Sequence, residues 1–248
     1  MTPELLATPW LLLGVFILLA YAVEAMTGFG SIVISLSLGA LLLPIPALLP
    51  VLVPLNIVMT GYLALKYRQH IDLPTLLRVV LPLMALGTLA GYALRPWLDE
   101  DLLKHLFGLL VVWFAARALW ASLNSKHAPA RPTWWTRFWT FVAGITHGLF
   151  ASGGPLLVYA LAGVDLDKAR FRATLVVVWF TLNAALTLAF ALDGSLGPAL
   201  GHIALYLPLL VLGVFVGERL HDRIDELRFR RVVYVVLLVA GLALAWPR

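Results

Sequence analysis

The feature that most constrains this chain is the recurrence of apolar blocks about twenty residues long, set apart by short stretches that hold most of the charge. A hydrocarbon layer about 30 Å thick demands a helix of roughly that length, because each residue advances a helix by about 1.5 Å. Strands of an outer-membrane barrel would alternate apolar and polar residues, and these blocks do not. Six of them read as full crossings: 45–65, 73–94, 102–122, 171–192, 199–217 and 232–246. Composition closes off a water-soluble fold, since 62% of the 248 residues are hydrophobic and only 12% charged, with a mean hydropathy of +0.94. The expected class is an all-α polytopic membrane protein.

Two further segments, 10–43 and 138–163, are interrupted by Thr27-Gly28-Phe29-Gly30-Ser31 and by Ala151-Ser152-Gly153-Gly154-Pro155. Each reads as two helical arms, a broken helix or hairpin. The interruptions lie 124 residues apart, and self-similarity near that period runs through the chain. Leu55-Asn56 with Thr60 recurs as Leu182-Asn183 with Thr187, while Leu81-Pro82-Leu83, Leu86-Gly87 and Gly91 recur as Leu207-Pro208-Leu209, Leu212-Gly213 and Gly217. Leucine matches carry little weight in such a composition, so the argument rests on Asn, Pro and the paired Gly. The expected organisation is a first membrane repeat over 1–122, a cytoplasmic linker over 123–137 and a second membrane repeat over 138–248. Each repeat holds a broken helix or hairpin plus three transmembrane helices.

Orientation follows from Lys and Arg, which accumulate in cytoplasmic loops. If each interrupted segment returns to its own side, the repeats are inverted, and only Arg95, Lys104 and Arg248 of the eighteen basic residues fall outside. If each crosses once, the repeats are parallel and the division is ten inside against eight outside. Inverted repeats with both termini outside the cytoplasm are therefore expected. This topology accounts for the net charge of +5, so nucleic acid is not an expected partner. The chain has no cysteine, which excludes thiol relays and cysteine-ligated metal; no metal or other cofactor is expected.

Inverted repeats with interrupted helices are the common build of secondary transporters. A break survives in hydrocarbon only where protein, water or a ligand satisfies the freed backbone groups. A helix that starts in mid-membrane also aims N–H groups and its positive dipole end at the cavity, which suits an anion. New arms are expected near Ser31 and near Pro155, proline being favoured in a first turn. The candidate substrate-binding residues are accordingly Thr27, Gly28, Gly30 and Ser31 in one half and Ser152, Gly153 and Gly154 in the other. Glycine would allow close backbone approach and the hydroxyls would donate to oxyanion oxygens; the alternative is helix packing. Asn56 and Asn183 form a polar stripe that faces either a cavity or a neighbouring helix. Glu24 and His147, just before the two breaks, are the titratable groups deepest in apolar segments and the candidates for proton coupling. The alternative is a neutral Glu24 hydrogen-bonded to backbone and a His147 satisfied by a carbonyl. Arg170 and Arg172 open the crossing that carries Asn183, where they either collect an anion at the cytoplasmic mouth or anchor the topology.

The glycine-rich break of each half, Gly28-Phe29-Gly30 and Ser152-Gly153-Gly154-Pro155, the repeat around Asn56 and Asn183, and the Leu-Pro-x-x-x-Leu-Gly-x-x-x-Gly pattern of both halves resemble the TauE/SafE sulfite exporters over nearly the whole chain. Phe29 and Ser31 interrupt the family's fuller glycine run in the first half, and Ser152 heads it in the second. The resemblance implies a secondary transporter in a bacterial inner membrane that exports sulfite, sulfoacetate or a related organosulfur or small organic anion by alternating access between two halves. The expected partners are that small anion and the lipid bilayer, with a coupling proton or sodium ion and a homodimer left open. Two other classes compete. An intramembrane serine protease could use Ser152-Gly153, but Phe150 stands where Gly-x-Ser-Gly needs glycine. A non-transporting membrane scaffold gives no reason for matched polar breaks. No enzymatic activity is expected.

Overall fold

Apolar blocks mark only the hydrocarbon part of each helix, and the helices run on past them into charged and polar residues. The computed structural model describes residues 7–27, 30–123, 132–161, 164, 167–221 and 226–246, all of whose regular elements are helical. In chain order they are α1 (Thr8–Thr27), α2 (Ser31–Gly39), α3 (Ile45–Lys66), a one-turn α4 (Leu73–Thr75) that continues through a π turn (Leu76–Val80) into α5 (Leu81–Leu94), and α6 (Glu100–Leu123). Then come α7 (Thr133–Phe150), α8 (Gly154–Ala160), α9 (Lys168–Leu192), α10 (Leu196–His221) and α11 (Glu226–Ala245). Glu100 and Asp101 open α6, where carboxylates complement the positive helix end, and Asp72 caps α4 by accepting from the Thr75 N–H at 3.1 Å. Pro50 and Pro54 lie inside α3 and Pro208 inside α10, a placement membrane helices tolerate when neighbours satisfy the freed carbonyls.

Six helices among the described residues are long and apolar enough to cross a membrane: 8–26, 45–66, 73–97, 100–123, 169–192 and 196–220. The first arm of the first interrupted segment joins this set. The last block, read from sequence as a full crossing over 232–246, is a shorter apolar helix over 231–245.

The chain forms two compact units, each drawing on both halves of the sequence. The first comprises Met1–Leu55, Asp99–Lys126 and Phe190–Arg248, the second Asn56–Leu98 and His127–Ala189. Lipid gives helices no hydrophobic reason to associate, so close van der Waals approach of small residues takes over, and both units show it. In the first, α10 runs parallel to α1. The Tyr206 hydroxyl donates to the Trp10 carbonyl at 2.6 Å; further along, a methyl group on Gly213 would lie 2.6 Å from the Leu18 carbonyl oxygen, and one on Gly217 would strike that of Ala22. In the second, α5 runs parallel to α7, with Gly87 against the Phe141 carbonyl and Gly91 against that of Ile145. Gly213 and Gly217 stand 126 residues after Gly87 and Gly91, and Phe141 and Ile145 stand 123 after Leu18 and Ala22. One crossing is thus made twice, with its partners exchanged between the halves.

Both interrupted segments are hairpins. α2 folds back along α1, with Gly39 beside Leu13 and Leu48, and α8 folds back along α7, with Tyr159 5.9 Å from Trp135 and 5.3 Å from Trp139.

Candidate functional site

The hairpin of the first unit turns through Gly30, whose φ of 110° lies in the left-handed region that side chains disfavour. α2 begins at the next residue, and the Ser31 N–H donates to Glu24 Oε2 at 2.9 Å. Glu24 and Ser31 are both buried. A carboxyl group of the chain itself therefore occupies the positive end of α2, the place where an anion would be electrostatically favoured. One turn on, the Ser35 hydroxyl is buried without a partner among the described residues, while the Ser37 hydroxyl donates to the Val33 carbonyl. Thr27 closes α1; its side chain and Gly28 lie outside the described residues.

The hairpin of the second unit turns at Ala151, the one non-glycine residue with positive φ, 50°, among the described residues. Its N–H returns to the His147 carbonyl at 2.6 Å. Gly153 precedes α8, and Pro155 stands in the first turn. The two glycines differ. A methyl group on Gly153 would strike the Ala143 carbonyl oxygen, so packing requires that glycine, whereas one on Gly154 would lie 3.6 Å from Trp179 Cζ2, an ordinary contact. Gly154 leaves room beside Trp179 that the fold does not need.

The His147 ring, 0% exposed, stacks on Trp179 with centroids 5.6 Å apart and planes 26° apart. Asn183 lies within interaction range of that ring, yet neither ring nitrogen meets hydrogen-bond geometry with any described residue. The Ser152 hydroxyl, 3% exposed, is also without a partner. From α9, Asn183 Nδ2 donates to Asn56 Oδ1 of α3 at 2.7 Å, and the Thr60 hydroxyl donates to the Asn56 carbonyl at the same distance. The polar stripe thus joins two helices through residues at matching places in the two halves. Asn183 Oδ1 and the Thr187 hydroxyl stay unmet among the described residues. Each buried polar group left without a partner costs about 1–3 kcal/mol, which makes His147, Ser152 and Asn183 the candidate site.

Arg170 and Arg172 belong to the same unit but not to that group. They precede Asn183 by 13 and 11 residues, roughly 20 and 16 Å along the axis of α9. Arg170 Nε lies 3.4 Å from Asp167 Oδ2 in an exposed pair. The Asp72 carboxyl is held below the usual range chiefly by the hydrogen bond of the Thr75 side chain, with Arg170 adding to the effect. The Arg172 guanidinium lies over the Tyr67 ring, 5.1 Å from its centroid. The structure therefore groups Asn56, His147, Ser152, Gly153, Gly154 and Asn183 in the second unit, and Glu24, Gly30 and Ser31 in the first. Sequence reasoning passed over Trp179, because a tryptophan in an apolar crossing gives no sign that it carries a histidine on its face.

The description "Sulfite exporter TauE/SafE" matches residues 13–244, a range that contains both breaks. Among curated proteins, the chain is 30% identical over 168 residues to the "Probable inner membrane transporter protein TsaS" of Comamonas testosteroni, covering 66% of this chain and 69% of that protein. It is 25% identical over 232 residues to the "Probable sulfite/organosulfonate exporter TauE" of Cupriavidus necator, covering 90% and 89%. No solved structure matches. Six helices able to cross a membrane, two hairpins at the expected breaks and a match over nearly the full length agree with one another: this multi-pass membrane transporter belongs to the sulfite exporter TauE/SafE family.

Proposed function

We propose that the protein carries a small sulfur oxyanion, sulfite or an organosulfonate, out of the cell, and that His147, Ser152 and Asn183 bind it beside Gly154 and Trp179. The observation that carries this reading is the set of buried polar atoms that the protein leaves unmet at the second break. Hydroxyl and imidazole N–H groups donate to an oxyanion without the grip of a fixed cation, so the ligand is held and also released. Asn183 Oδ1 accepts, which suits an anion that also carries a proton, such as hydrogensulfite or an aminosulfonate. The names of the family and of the Cupriavidus necator relative support the sulfur-anion class. Outward movement of an anion is favoured by a negative-inside potential by about 2.3 kcal/mol per charge per 100 mV; export therefore needs no co-transported ion, and Glu24 is read as the residue that holds the start of α2 rather than as a proton carrier.

The topology that accompanies this reading is the inverted one, with repeats over 1–122 and 138–248 and both termini outside. It is supported by the fifteen basic residues it places inside against three outside. In both hairpins, moreover, the long arm lies parallel to a crossing from the other half. Alternating access between the two repeats is the mechanism proposed for transport.

The test is the melting temperature of the purified protein with sulfite, sulfoacetate, taurine, sulfate or short carboxylates. A ligand that binds only the folded state stabilises it by about 2.7 kcal/mol at a hundred times its Kd. Sulfite or a sulfonate is expected to raise the melting temperature. Gly154→Ala, whose added methyl the fold accommodates, is expected to melt like the wild type without ligand and to bind about tenfold more weakly, the usual scale for one methyl group in a fitted site. A melting temperature indifferent to every sulfur anion would refute the assignment.

A further inference from the structure

The two arginines that open α9 are chemically unlike. Arg170 is compensated: Asp167 Oδ2 lies 3.4 Å from its Nε, the Asp167 carboxylate also accepts from its backbone N–H at 2.9 Å, and Asp72 feels its charge. Arg172 has no carboxylate partner among the described residues, and its Nε is buried with no hydrogen bond to any of them. What holds it is the face of Tyr67, a ring that Lys66 Nζ also approaches to 5.8 Å. A ring face attracts a cation by about 0.5–2 kcal/mol without using its N–H groups as hydrogen-bond donors.

The helix supplies the second observation. Arg172, Trp179, Asn183 and Thr187 recur at intervals of seven, four and four residues, which at 3.6 residues per turn keeps them within an arc of about 80° on one face of α9. Trp179 carries His147, and Asn183 and Thr187 have unmet oxygens. One face of one helix thus runs from an uncompensated guanidinium to the group assigned above to the ligand.

We propose that Arg172, poised on Tyr67, is the residue that captures the anion at the start of α9 and delivers it toward Asn183, and that Arg170 takes no part. This rests on the sulfur-anion reading of the previous subsection. A guanidinium meets a planar or pyramidal oxyanion with two parallel N–H groups, and its attachment to an aromatic face is weak enough to exchange. Capture before the central group governs how much substrate is needed, not how tightly the central group binds at saturation.

The full-length protein is reconstituted in liposomes, and initial rates of radiolabelled sulfite transport are measured over a range of concentrations. Arg172→Gln is expected to raise KM at least tenfold while saturating sulfite still raises its melting temperature; Arg170→Gln is expected to stay within twofold of wild type. An Arg172→Gln KM within twofold of wild type, a fall in kcat alone, or an equal rise in Arg170→Gln overturns the proposal. Should Arg172→Gln not fold, Arg172→Lys decides: it keeps the charge but not the fork, and an unchanged KM overturns the proposal while a rise of about threefold or more supports it. A wild-type protein that transports none of the sulfur anions sinks the previous reading and this one together. Transport by wild type with indifferent Arg172 variants sinks only this one.

Discussion

At the first break, the N–H that opens α2 meets a carboxylate of its own chain, Ser31 to Glu24 at 2.9 Å. At the second, the matching place is held by His147, whose ring nitrogens form no hydrogen bond among the described residues. The match is not arbitrary, since Glu24 and His147 stand 123 residues apart, the offset that also relates Leu18 and Ala22 to Phe141 and Ile145 in the two glycine-packed crossings. The same backbone frame therefore carries opposite chemistry. One hairpin meets the first N–H of its returning arm with its own carboxyl group; the other leaves the His147 ring and the Ser152 hydroxyl without hydrogen bonds among the described residues. The two frames hold a polar break in an apolar surround in the same way, and they differ in the side chain that stands before the turn.

The comparison breaks most visibly if its common frame is false. Gly91→Val and Gly217→Val each drive a side chain into a carbonyl of the facing helix. Both are expected to lose more than about 3 kcal/mol, the upper range for overpacking, seen as little or no folded protein on size-exclusion chromatography. Survival of one variant and not the other would show that the two crossings are not equivalent. Next in size is His147→Glu, which copies the first break into the second. The variant is expected to fold, to lose stabilisation by sulfite and to transport about a hundredfold more slowly, about 2.7 kcal/mol in the barrier; wild-type rates would mean that the difference between the breaks does not define the anion site. Smallest is Glu24→Gln, which keeps an oxygen to accept from Ser31 but removes the charge. Charged hydrogen bonds exceed neutral ones by about 1 kcal/mol, so a modest fall in melting temperature is expected, with saturated transport within about threefold of wild type. A hundredfold loss of transport would move Glu24 from holding α2 to working on the substrate.

Five of the six crossings read from sequence, and both breaks, were legible because the bilayer imposes a length and because Gly, Ser and Pro end helices for reasons local to the chain; the block 232–246 is a shorter apolar helix, and the sixth long span is α1. Helix ends were less so. α6 begins at Glu100 and α9 at Lys168, outside their apolar blocks, since charged residues at a helix end reach water and leave no mark in hydropathy. α7 likewise begins at Thr133, after Pro132 in an extended conformation, so that residues 133–137, read from sequence as part of a linker, are helical. Of the candidate site, the polar residues at the breaks could be named, but their partners could not. Nothing in seven residues of separation says that Glu24 turns back onto Ser31, and no periodicity says that Gly153 packs on Ala143 while Gly154 does not. Those are properties of how two arms fold together, and they exist only in three dimensions.

The bond between Asn56 and Asn183 carries a consequence for ancestry. These residues occupy matching places 127 apart, so for halves that descend from one ancestral segment the contact is one that a protein makes with a second copy of itself. Such a contact admits few side chains. Two carboxylates or two ammonium groups would repel, and two hydroxyls would span a shorter distance, but an amide both donates and accepts and so is complementary to its own twin. For such halves, one asparagine in the ancestral segment would supply both sides of the contact, and after fusion a change at either position alone would remove the bond between them.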